Sequence, residues 1–78
     1  MNVTKNSLLR AALAQFESAA ITARANLDLY LNNPSAVAEH ANVVGEVVNL
    51  TQQITEAEDN IRTIEEMLIS DIPIGIEQ

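Results

Sequence analysis

The chain has 78 residues and a net charge of −7, with no cysteine, one histidine, and Phe16 and Tyr30 as its aromatic residues. That length holds one domain with a thin core, and the missing cysteines exclude a disulfide framework or a thiolate metal site. The acidity argues against direct binding to nucleic-acid backbones, and two aromatics leave no platform on which bases or sugars stack.

Residues Met1 to Arg10 lack the apolar segment of a secretory signal, and no apolar run approaches the roughly 20 residues that span a bilayer. A cytoplasmic protein without membrane association is therefore expected. A first helix is expected over about residues 4–31, with Thr4 or Asn6 able to cap it. Leu9, Leu13, Phe16, Ala20, Ala23, Leu27 and Tyr30 recur at alternating steps of three and four, the pattern of helices packed in a left-handed supercoil. Ala14, Ile21, Ala25 and Leu29, interrupted by Ser18, form a second apolar line on the opposite side. One partner helix covers only one of two such lines, so Ile21 and Leu29 are expected to meet another subunit or a different protein. The plainer alternative is that they are isolated exposed residues. Arg10, Glu17 and Arg24 lie two turns apart along one flank. Arg10 and Arg24, with Tyr30 nearby, are candidate contacts for a small anionic ligand framed by symmetric copies, although ion pairs between subunits explain the same arginines.

Asn32 and Asn33 stop this helix, and Pro34 suits the first position of the next, so a turn is expected at 32–34 and a second, longer helix over about 34–69. Its seam runs Ala36, His40, Val43, Val47, Leu50, Ile54, Ala57, Ile61, Ile64 and Leu68. Val37, Val44 and Val48 widen the apolar surface of its first half, and with Leu68 they are candidate interface residues. Gly45 inside a helix suggests a close contact, a slight bend, or a tolerated surface glycine. Folding about Asn33 sets Tyr30 beside Val37, Leu27 beside His40, Leu13 beside Ile54 and Val3 near Ile64, with Met67 to Ile69 overhanging. His40 reads as a packed seam residue; its burial among apolar neighbours would make assembly sensitive to pH. In the extended tail, 70–78, Ile72, Ile74 and Ile76 alternate between Pro73 and Gly75, as in a short strand that packs back or docks on a partner.

The charge is uneven. Up to Glu39 acids and bases balance, whereas eight acids follow with only Arg62 to offset them, a field suited to solubility or to a basic partner. Glu58 precedes Arg62 by four residues, the favourable order for a helical ion pair. One histidine without a glutamate three residues ahead excludes the bundle-type metal motif, and there is no nucleophile constellation or phosphate loop. No catalytic residue and no cofactor is assigned.

The stretch Asn26-Leu27-Asp28-Leu29-Tyr30-Leu31-Asn32-Asn33-Pro34, followed by Glu39-His40 and Ala57-Glu58-Asp59, resembles a family of small hypothetical helical proteins encoded by tailed bacteriophages, particularly those of aquatic bacteria. The resemblance spans about half the chain and brings no established activity. It implies a phage accessory protein acting in the infected cell, or a minor virion part. In size and shape the chain is also similar to the hairpin co-chaperones of type III secretion needle subunits. The expectation is thus an all-α, antiparallel two-helix hairpin that assembles into a helical-bundle oligomer. It works by binding itself and a host or virion protein, with neither nucleic acid nor membrane as partner.

Overall fold

A computed structural model describes residues 4–32 and 42–69 of the chain. Two helices account for nearly all of them: α1, Lys5–Asn32, and α2, Val43–Ile69. At 1.5 Å per residue each is roughly 40 Å long.

Each helix opens on a side-chain cap. Thr4 precedes α1 and its hydroxyl accepts the backbone N–H of Ser7 at 3.1 Å, while the Ser7 hydroxyl accepts the N–H of Thr4 at the same distance. The exchange is a capping box with serine in the place usually held by glutamate, and it satisfies two amides that no helical carbonyl reaches. At the start of α2, Asn42 Oδ1 accepts the N–H of Gly45 at 2.8 Å and the Asn42 carbonyl accepts the N–H of Glu46 at 3.1 Å. A Cβ on Gly45 would stand 2.7 Å from Asn42 Cγ, inside van der Waals contact. Of the three readings of this glycine, the close contact is the one observed, and the neighbour is the capping side chain itself. The expected start of the second helix at Pro34, its cap at Asn33, and its excess length over the first all depend on residues outside the described ones.

The a/d seam is buried as its spacing requires. Ala20, Ala23, Leu50, Ile54, Ala57 and Ile64 are buried, and Leu9, Leu13, Phe16, Leu27, Tyr30, Val43, Val47, Ile61 and Leu68 are half-buried. Ala23, at 2% exposure the most enclosed of the core residues, clusters with Leu50 and Ile54, and Leu27 and Tyr30 pack against that cluster. Nearer the open end, Phe16 and Ala19 share a shallow groove with Gln53, Ala57 and Asn60. Moving back along α1 therefore moves forward along α2: the helices are antiparallel.

The register differs from the expected one. Ile54 packs with Ala23 rather than Leu13, ten residues away along α1, and Leu27 packs against the cluster of Ala23, Leu50 and Ile54; His40, the expected neighbour of Leu27, lies outside the described residues. Two physical reasons account for it. At the connected end α1 is described to Asn32 and α2 from Val43, so the two helices are centred in sequence on a point beyond Asn33. Reversing a helix also reverses its order of steps, so the step of four from Ala23 to Leu27 matches the step of four from Leu50 to Ile54. At this stagger Leu9 comes level with the last turn of α2. Leu68 is accordingly half-buried on the seam rather than part of an overhang.

Candidate interaction surface

Six buried residues among those described, three of them alanine, are a small core for two helices of this length. The outer side of α1 shows what remains. Ala11, Ala14, Ser18, Ile21, Ala25 and Leu29 follow one another at helical spacing on the side away from α2, and all are exposed. Ile21 keeps 68% of its surface and Leu29 46%. The line is graded in size: its first half offers alanine and serine, its second half the two bulky residues. No charged residue interrupts it.

Charges gather on the flank of α1 instead, at Arg10, Glu17, Arg24 and Asp28. Arg24 crosses to Glu58 on α2. This overturns the expected pairing of Glu58 with Arg62. Glu58 sits on the edge of α2 that faces α1, so its carboxylate meets Arg24, and Arg62 turns to Asp59 at 3.0 Å. The Arg24 pair lies within one hairpin, not between subunits. The Asp28 carboxylate and carbonyl accept from the Asn32 amide, the latter at 3.0 Å, which closes the last turn of α1. Arg10, Glu17 and Asp28 make no ion pair among the described residues.

The candidate anion contacts do not converge in one chain. Arg10 and Arg24 are separated by four turns, roughly 21 Å along the axis. Tyr30 packs against the seam cluster. Of the candidate interface residues, Val44 is 74% exposed and Val48 about half exposed, both at the connected end of the hairpin. Leu31 is also exposed at the same end, directly after the seam residue Tyr30. Leu8, Met67 and Ile69 are exposed near the open end. Val37, Ile72, Ile74, Ile76 and His40 lie outside the described residues.

Comparison with protein-family models, curated proteins and solved structures gives no match. Geometry therefore carries the functional argument. No helix among the described residues is long and apolar enough to cross a membrane, and no group of three or more histidine or acidic side chains there is placed to hold a metal ion. From Gln52 to Glu66 the outward side of α2 is polar and acidic, with Gln52, Glu56, Asp59, Thr63 and Glu66. The two faces of the hairpin thus have opposite character: an apolar, small-residue back on α1 and an acidic, hydrated back on α2.

Proposed function

We propose that this chain acts by binding rather than by catalysis: a helical hairpin that associates with copies of itself and, through that assembly, occupies a host protein or holds a host signalling molecule. The single observation that carries the reading is the uncovered apolar line on α1, with Ile21 68% exposed beside a seam that buries six residues among those described. A monomeric hairpin gains nothing from such a line and risks aggregation, whereas a binding module needs it. The likeness of Asn26 to Pro34 and of Ala57 to Asp59 to small phage-encoded helical proteins supports a phage accessory role in the bacterial cytoplasm.

Native mass spectrometry of protein purified from a bacterial host tests the reading. The expected result is a defined multimer of the 8.5-kDa chain, with or without a retained small molecule. A folded monomer as the sole species at tens of micromolar would overturn it.

A further inference from the structure

We infer that the back of α1 is the self-association surface, and that it pairs with the same surface of a second copy in antiparallel orientation, α1 against α1 about a two-fold axis level with Ala19. The inference rests on the reading that the hairpin works by association, and it specifies which face associates and how.

Three observations lead to it. The first is size. The line runs from small residues, Ala11, Ala14 and Ser18, to bulky ones, Ile21 and Leu29. Antiparallel pairing lays Ile21 of each copy over Ser18 and Ala14 of the other and Leu29 over Ala11, so that large fills small along the contact; parallel pairing sets bulk against bulk and leaves gaps between the alanines. The second is charge on the flank. Arg10 and Asp28 lie on the same side of the line, nine residues either side of Ala19, and neither has an ion-pair partner among the described residues. The two-fold brings Arg10 of each copy to Asp28 of the other, twice per dimer. A parallel pair would leave the two Arg10 side chains on opposite flanks, each 18 residues away along the axis from Asp28 of the other copy. The third is charge on the helices as wholes. Lys5, Arg10 and Arg24 outweigh Glu17 and Asp28 by one on α1, whereas six acids on α2 face Arg62 alone. Two α2 helices repel each other strongly, two α1 helices far less. The assembly is a layer of four helices with the α1 pair inside and the acidic α2 helices outside. In that layer α1 is covered on two sides, as its two apolar lines demand.

Sedimentation equilibrium on three charge variants tests the arrangement. In Arg10→Glu, and separately in Asp28→Arg, each homodimer exchanges two attractive contacts for two repulsive ones, and the dissociation constant rises roughly tenfold. The double variant restores self-association to near the original. An equimolar mixture of the two single variants restores it as well, because every cross-copy contact in the mixed dimer again joins opposite charges. Ile21→Glu, which introduces a charge at the centre of the line, abolishes the dimer while far-ultraviolet circular dichroism keeps its helical signal. If the single variants dimerise as the parent does, or the mixture shows no recovery, the antiparallel α1 arrangement is wrong although self-association stands. If the parent chain sediments as a monomer at every concentration, the underlying reading fails and the arrangement with it.

Discussion

Truncating one isoleucine on each side of the hairpin separates what the seam does from what the back of α1 does. Ile54 is 8% exposed and packs with Ala23 and Leu50. Ile54→Ala removes three buried carbons from a contact that the small Ala23 side chain cannot refill, a loss of about 2–3 kcal/mol, at the lower end of the range for such truncations because a two-helix seam closes partly over the gap. Ile21 is 68% exposed. In an isolated hairpin only about a third of its surface is shielded, so Ile21→Ala forfeits roughly 0.5 kcal/mol of burial and regains about 0.4 kcal/mol of helix propensity. The two nearly cancel. In the associated form Ile21 is buried, and the same change costs about 2 kcal/mol per chain. Urea unfolding followed by circular dichroism, at low micromolar and at several hundred micromolar protein, reads both effects. Ile54→Ala lowers the midpoint at both concentrations, whereas Ile21→Ala is close to neutral in dilute protein and clearly destabilising in concentrated protein. A neutral Ile21→Ala at both concentrations would refute the role of the α1 back, and an Ile54→Ala as mild as Ile21→Ala would refute the seam.

Three further outcomes follow from the packing and the caps. Ala23→Leu forces three more heavy atoms into a 2%-exposed position between the helices and is expected to destabilise by about 1–3 kcal/mol in a thermal melt. Asn42→Ala removes the acceptor for the Gly45 amide and costs about 1 kcal/mol; Gly45→Ala displaces the same cap but improves helix propensity by about 1 kcal/mol, so its melt stays within a few degrees of the parent. Arg24→Ala and Glu58→Ala each cost less than about 1 kcal/mol, because both side chains are roughly half exposed, and the difference from the parent shrinks in 1 M salt.

The fold class and the seam were readable because burial in a helix pair depends on periodicity alone: every described seam position, from Leu9 to Leu68, is buried or half-buried. The stagger between the helices was not readable. Asn32, Asn33 and Pro34 signal a turn, but local turn chemistry does not say how much chain separates two helices, and a heptad seam accepts several offsets with similar apolar overlap. Asn42 was hidden as a cap because Val37, Ala41 and Val44 continue an apolar flank across it. Glu58 misled for a related reason: four-residue spacing to Arg62 is visible in sequence, whereas the competing guanidinium of Arg24 is 34 residues away and becomes a neighbour only after the hairpin closes. The exposed line on α1 was visible as a second apolar period.

The thermal midpoint measured across a hundredfold range of protein concentration tests the central claim most directly, since a hairpin whose α1 back is completed by another copy loses its neighbour and its fold together. The expected result is a rise on the order of 5–10 °C from the dilute to the concentrated sample, from mass action on a chain of this size. A midpoint that does not move with concentration would contradict the account.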